Sequence, residues 1–108
     1  MPVFTKYANQ DPTGLWELVQ DMLDCQRTAA GAEAAYEAAK ATKALELKAS
    51  GMPVGIIDKI VKGDKEVNSK LVAYRCAEAE FKAAAEAVNV RKIEVRQQSE
   101  AWQREFNS

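Results

Sequence analysis

In this 108-residue chain, the side chains considered first as metal ligands or catalytic groups are the carboxylates and the thiols. The glutamates of its alanine-rich stretches are Glu33, Glu37, Glu78, Glu80 and Glu86. Helical bundles that bind two metal ions through carboxylates combine them with Glu-x-x-His motifs, and this sequence contains no histidine. The glutamates therefore indicate a solvated helix face, and the sequence predicts no metal and no cofactor.

The two cysteines, Cys25 and Cys76, stand far apart and form no Cys-x-x-Cys motif. Without histidine, this pattern argues against zinc fingers, haem attachment and most thiol catalysis, so we interpret them as small apolar side chains. Nucleotide-binding glycine motifs and the Gly-x-Ser-x-Gly motif of hydrolases are also missing from the sequence. We therefore predict a protein that is not an enzyme.

A basic stretch around residue 65 favours a second interpretation. Segment 43–75 carries seven basic and four acidic residues, and within it residues 53–75 have the spacing of a helix-turn-helix. In this alternative, Lys65, Asn68 and Lys70 would contact DNA. The second helix is far too long for a compact recognition helix, and acidic residues are interleaved with the lysines. A DNA-binding accessory protein is therefore the alternative prediction.

Charge and hydropathy narrow the range of partners and locations. The formal net charge is −1, from 15 basic and 16 acidic residues, so the chain as a whole has no field that would attract nucleic acid or an anionic membrane. Its beginning does not read as a secretory signal, and no stretch approaches the roughly 18 apolar residues of a spanning helix. We expect a soluble cytoplasmic protein with protein partners.

Turn-forming residues divide the chain into three predicted helices. The helix boundaries are marked by Asp11-Pro12, Ser50-Gly51, Pro53 and Gly63-Asp64. We predict an all-α fold with a single helical domain over residues 1–108. Its parts are an N-terminal arm at 1–11, a long helix at 12–49, a short capping helix at 53–62 and a long helix at 64–106.

The two long helices carry the 3-4 spacing of coiled coils. On the last helix the repeat reads Val67, Tyr74, Phe81, Val88, Val95 and Trp102. On the first helix the apolar track runs from Leu15 to Ala39, and Thr42, Leu45 and Ala49 continue it on a shifted track. The shift predicts a local change of winding near Ala39.

Folding the chain back about Ile57 predicts a long antiparallel, coiled-coil-like helical hairpin with the short helix at its closed end. This register places Tyr36 opposite the neighbourhood of Glu78, and Leu15 near Ser99. The short helix has apolar residues on more than one face, so it is expected to cap the closed end rather than stand in water. These residues are Val54, Ile56, Ile57, Ile60 and Val61.

Several apolar residues near the open end remain outside the seam of a two-helix hairpin. The predicted oligomer interface consists of Trp16, Val90, Ile93 and Trp102. A hairpin of two helices has a small core, so a second copy that hides these residues would stabilise it. We predict a homo-oligomeric bundle; the other candidate cover is the N-terminal arm, where Phe4 and Tyr7 are available.

The stretches ALELKASGMPVGIIDKIVKGDKEV and AEAEFKAAAEAVNVRKIEVR resemble a family of small, uncharacterised helical proteins encoded in bacteriophages and prophages of Gram-positive bacteria. The resemblance covers about Ala44 to Arg96 and rests on the order Gly51, Pro53, Gly63, Asp64. It implies a phage or prophage origin and an accessory role, with a phage or host protein as a possible partner. It implies no activity and no site residues.

Overall fold

The computed structural model describes residues 12–107 of the chain. Within this range the backbone forms three α-helices and no strand, which confirms the predicted all-α class. Helix α1 spans Leu15–Ala49, α2 spans Val54–Gly63 and α3 spans Lys65–Asn107. The predicted N-terminal arm, at residues 1–11, lies outside the described residues.

Helix α1 begins at Leu15 rather than at residue 12. Pro12 and Thr13 form a turn, and Gly14 has a φ of 74°, a left-handed conformation that glycine adopts without steric cost. The Thr13 hydroxyl accepts the N–H of Leu15 at 3.2 Å, so it satisfies one of the free donors at the helix start. Asp11, the predicted cap, lies outside the described residues.

The end of α1 is the glycine stop that the sequence predicts. Gly51 has a φ of 86°, and its N–H donates to the carbonyl of Lys48 at 3.1 Å. The N–H of Met52 donates to the carbonyl of Leu47, also at 3.1 Å. These two bonds form a Schellman motif, in which the side chains of Met52 and Leu47 usually meet. Both side chains pack against the buried core.

A single non-helical residue, Asp64, joins α2 to α3. Its carboxylate accepts the N–H of Val67 at 3.0 Å, which confirms the predicted N-cap. The Asn68 side-chain amide donates to the carbonyl of Lys62 at 3.0 Å and so satisfies a free acceptor at the end of α2. Local hydrogen bonds on both sides of Asp64 therefore fix the turn between the two helices.

The chain forms two compact units, and α1 and α3 contribute to each. The α2 unit comprises Gln26–Ala79, and the terminal unit comprises the described residues up to Cys25 and from Glu80 onward. The core of the α2 unit is built on Ile57, Val61 and Val67, which are 7%, 7% and 3% exposed. Side chains of α1 that pack against this core are Tyr36, Ala39, Ala44 and Leu47.

Helix α2 buries one face only. Ile57 and Val61 lie one turn apart and are buried, and Ile60 is half-buried. Val54 and Ile56, which were also expected to cap the closed end, are 74% and 46% exposed. The short helix therefore attaches to the α2 unit through a narrow stripe and leaves apolar surface in water.

Contacts within the α2 unit correct the predicted register. The rings of Tyr36 and Tyr74 stack with centroids 6.2 Å apart, so Tyr36 lies one turn away from its predicted place near Glu78. The Lys43 ammonium lies 3.5 Å from the Asp64 carboxylate. Tyr36 pairs with Tyr74, whereas Lys43, which is later in α1, pairs with Asp64, which is earlier than Tyr74. The two segments therefore run antiparallel. The chain reverses at Gly51 and again at Asp64 rather than about Ile57, and the contact of Tyr36 moves by one turn within the neighbourhood of Glu78.

The shifted apolar track predicted after Ala39 is wrong, because it is not the covered side of α1. Helix α1 continues without interruption, and its half-buried track passes through Lys43 and Leu47. Leu45, which was placed on the shifted track, is 67% exposed, and Thr42 and Ala49 are exposed too. Lys43 occupies the inward position because its aliphatic stem can line the seam while its ammonium reaches Asp64.

Candidate functional site

The terminal unit contains a helix surface that changes from covered to exposed. Among its described residues only Val88 is buried, at 4% exposure, with Phe81 and Val95 half-buried on the same repeat. From Arg96 to Asn107 every residue is exposed. The last three turns of α3 therefore present all their faces to solvent.

The start of α1 lies beside α3 shortly before residue 96, where the fully exposed part of α3 begins. Arg91 donates from Nε to the carbonyl of Thr13 at 2.6 Å, and its Nη1 lies 3.0 Å from the Glu94 carboxylate. Half-buried side chains of α1 follow the 3-4 spacing through Leu15, Leu18, Met22 and Cys25. The predicted position of Leu15 near Ser99 is therefore wrong, since the α1 start meets Arg91 instead.

The apolar repeat of α3 continues beyond Arg91. We call Val95, Ser99, Trp102 and Phe106 the C-terminal stripe. Five turns of an ideal helix take about 18 residues, the spacing from Val88 to Phe106, so the stripe lies on the same face as buried Val88. A shallow surface depression is lined by Val95, Ser99 and Trp102 together with Gln98, Ala101 and Glu105.

Two large aromatic side chains dominate the C-terminal stripe. Trp102 is 64% exposed and Phe106 is 78% exposed. Their rings stack with centroids 5.6 Å apart and planes 23° apart. The two stacked rings still leave much of their apolar area in water, and such a patch marks an interaction surface more often than scattered apolar residues do.

The four predicted interface residues do not form one patch. Val90 and Ile93 are 45% and 53% exposed, and Trp16 is half-buried on α1. Ile93 and Trp102 are two and a half turns apart, because one turn takes about 3.6 residues, so they lie on opposite faces of α3. The sequence prediction also missed Phe106, although its place one turn after Trp102 is the signal that could have found it.

The three candidate DNA-contacting residues lie at the start of α3. Lys65 and Lys70 are exposed. Asn68 is half-buried, and its amide is bonded to the carbonyl of Lys62. The Asn68 amide, the group of the three that could read an adenine, is thus used to fix the α2–α3 turn.

Groups suited to chemistry are dispersed in the part of the chain that the structure describes. No cluster of three or more Cys, Asp or Glu residues there could hold a metal ion. Cys25 and Cys76 are free thiols. The pKa of Tyr74 is raised because burial disfavours its phenolate and because its hydroxyl donates to the Glu78 carboxylate at 3.2 Å. A raised pKa keeps Tyr74 neutral and suits a packing role.

Concave surface in the α2 unit is small. A cleft of about 200 Å³ lies beside the Lys43–Asp64 ion pair and is bordered by Ala39, Thr42 and Glu66. Sites for small molecules usually exceed about 300 Å³ and are mostly apolar. This cleft is smaller and lined by charges. In residues 12–107, no helix is long and apolar enough to cross a membrane.

Comparison with known proteins identifies no relative: the chain matches no protein-family model, and no curated protein or solved structure is significantly similar to it. The functional argument therefore rests on the exposed surfaces of α3.

Proposed function

We propose that this protein is a non-enzymatic helical interaction protein that acts by self-association. The observation that carries the proposal is the C-terminal end of α3, where every residue from 96 to 107 is exposed. Two aromatic rings lie there on the helix face that holds buried Val88 and half-buried Phe81 and Val95 earlier in the helix. Covering the apolar surface of these rings with a partner would contribute roughly 25 cal/mol of binding free energy per Å² buried. A second helix is the partner that a straight apolar stripe on a helix fits.

In the proposed assembly, α1 and α3 pair as an antiparallel hairpin and the hairpins join into a bundle. The Tyr36–Tyr74 stack and the Lys43–Asp64 ion pair support antiparallel pairing in the α2 unit. Val90 and Ile93 lie away from the C-terminal stripe, so they would take part in a second contact of the bundle. Trp16, at the α1 start, lies close to the transition between covered and exposed surface.

An accessory role in a phage or prophage fits such a protein, because structural and regulatory partners of this kind act by binding and need no active site. We favour self-association over DNA contact because the Asn68 amide is already used within the chain, and because the net charge gives nucleic acid no general attraction.

Sedimentation of the full chain tests this proposal. The expected mass is a multiple of 11.9 kDa. Trp102→Asp and Ile93→Glu should each lower the association constant at least tenfold, since each would bury a charge in an apolar contact. Ser69→Glu is the matched control, because it adds a charge at an exposed polar position of α3 in the α2 unit, outside both proposed contacts, and should leave the mass distribution nearly unchanged.

A chain that stays monomeric at millimolar concentration would overturn the proposal. Helix content measured by circular dichroism must stay constant across the variants, so that dissociation is not confused with unfolding. A gel-shift titration at low salt tests the alternative, and retardation that Lys65→Glu with Lys70→Glu abolishes would favour DNA binding instead.

A further inference from the structure

The C-terminal stripe has the same spacing read from either end. Its residues follow one another at intervals of four, three and four positions, from Val95 to Ser99, Trp102 and Phe106. A two-fold axis that passes beside the stripe at the level between Glu100 and Ala101, perpendicular to the plane of two antiparallel helices, therefore maps the stripe onto the stripe of a second copy. Such self-matching is what an isologous contact between identical chains requires.

We infer that the partner of the C-terminal stripe is a second copy of the same stripe, with the two α3 ends antiparallel about an axis between Glu100 and Ala101. This inference rests on the proposed self-association and specifies its surface, partner and direction. In this arrangement Val95 packs against Phe106 of the second copy, and Ser99 packs against Trp102 of the second copy.

Side-chain sizes agree with this pairing. Each contact joins a smaller residue to an aromatic one, so the indole of Trp102 enters the space above Ser99, and the ring of Phe106 covers the smaller Val95 side chain. Knobs that enter holes in this way are the packing mode of paired helices. The depression lined by Val95, Ser99 and Trp102 is the place where such a knob would enter.

Polar side chains at the edges of the stripe are compatible with the same pairing. On one flank Arg96 comes close to Gln103 of the second copy, whose amide oxygen can accept from the guanidinium. On the other flank Gln98 comes close to Glu105 of the second copy, and its amide can donate to the carboxylate. Glu94 also lies within about one turn of Glu105 of the second copy on this flank, and the Arg91 guanidinium, 3.0 Å from the Glu94 carboxylate, offsets the repulsion between these like charges.

The position of α1 favours the antiparallel pair over a parallel one. The carbonyl of Thr13 is bonded to Arg91, so the start of α1 lies just before the C-terminal stripe. In a parallel pair, both copies would bring their α1 helices to the same height between the two α3 helices. In the antiparallel pair, the end of the second α3 meets the start of α1, and the opposite partial charges of the two helix ends favour this junction.

Disulfide mapping in the full chain tests the inference. In a Cys25→Ser, Cys76→Ser background, Val95→Cys and Phe106→Cys are prepared separately, with a tag that distinguishes their masses. After equilibration and mild oxidation, we expect a disulfide between the two variants in the mixture and little dimer from either alone. Gln97→Cys is the matched control, since it lies on the opposite face of α3 and should not cross-link with either.

A second pair, Gln98→Cys with Glu105→Cys, keeps all the apolar residues of the stripe and should also cross-link on mixing. Cross-linking of Val95→Cys with itself would indicate parallel helices and overturn the inference. Failure of both mixtures, with the unmodified chain sedimenting as an oligomer, would overturn the inference and leave the proposed function in place. A monomeric unmodified chain would overturn both.

Discussion

Around α2, apolar stripes of three helix segments meet one another, whereas beyond Val95 the apolar stripe of α3 continues without cover from the described residues. In the first region Ile57, Val61 and Val67 are nearly inaccessible to solvent. In the second region Trp102 and Phe106 keep most of their surface in water. Helices with similar repeats can thus have different environments, and the difference depends on whether a second helix extends far enough to cover the stripe.

The two regions also differ in the interactions that hold their helix ends. The α2 region is held by a Schellman motif at Gly51 and by the Asp64 cap, so its turns are fixed by short-range hydrogen bonds. At the end of α3 the Arg104–Glu100 ion pair is weak, at 3.9 Å and largely exposed. Such exposed pairs contribute little. The proposed contact with a second copy would add order to this end.

The largest expected effect is in the core of the α2 unit. Ile57→Asp would bury a carboxylate among Val61 and Val67, and should destabilise the chain by about 3 kcal/mol or more, measured by urea unfolding. Ile56→Asp is the matched control, because the neighbouring side chain is 46% exposed and the change should cost well under half as much. Equal effects at the two positions would mean that α2 does not bury the Ile57 face.

A second pair of variants compares the covered and exposed parts of one helix face. Val88→Ala removes buried methyl groups and should cost about 2 kcal/mol of unfolding free energy. Trp102→Ala should cost no more than about 0.5 kcal/mol at concentrations where the chain is monomeric, since surface positions contribute little. If Trp102→Ala destabilised the monomer as much as Val88→Ala, the stripe would have a partner within the chain.

The sequence predicted the local features well and the long-range ones poorly. The caps at Gly51 and Asp64 follow from interactions between residues that are close in the sequence, so residue type and spacing suffice to find them. The pairing of Tyr36 with Tyr74 depends on where α2 folds back, which no local pattern specifies. Lys43 occupies an inward position that looks polar in the sequence, and the outward Leu45 looks apolar; only the packing of both helices distinguishes them.

The candidate surface shows the same division. Trp102 was predicted from the heptad repeat, and its exposure agrees with an uncovered site. Ile93 and Trp102 lie on opposite faces of α3, and the sequence prediction used this separation to argue that one partner helix could not cover both. That each belongs to an oligomer interface stays a prediction. Phe106 was overlooked because polar residues at Gln98 and Ser99 interrupt the repeat before it. Which parts of the repeat α1 covers is a consequence of helix lengths and register, and these require the folded structure.

A smaller effect on stability is expected at Gly51, in the turn between α1 and α2. Gly51→Ala should cost about 1 kcal/mol, because the φ of 86° is unfavourable for any residue with a Cβ. The added methyl group meets no atom within 4 Å, so the cost comes from the backbone alone. Gly55→Ala, inside α2 and equally open, should be neutral or stabilising in thermal unfolding. A destabilisation at Gly55 as large as that at Gly51 would contradict this explanation.

The smallest expected effect concerns the charge of Asp64. The N–H of Val67, and then the nearby Lys43 ammonium, hold the pKa of this carboxyl below its usual value. A lowered pKa in the folded state adds stability above the ordinary pKa near 4, and that stability is lost as pH falls through the folded value. Asp64→Asn keeps a capping oxygen and removes the charge.

The wild type should therefore unfold at a slightly higher temperature than Asp64→Asn at neutral pH, and the difference should disappear in acid. Thermal unfolding followed by circular dichroism between pH 7 and pH 2 measures it. A difference in melting temperature that stays constant with pH would show that the Asp64 charge adds nothing to the cap.

Hydrogen exchange measured by mass spectrometry at several protein concentrations tests the central contrast most directly. We predict that peptides from residues 54–79 are protected at every concentration, because the α2 unit buries its own core. Peptides from residues 96–107 should exchange rapidly when dilute and become protected as concentration rises and the stripe is covered. Protection of residues 96–107 that does not change with concentration would contradict the account.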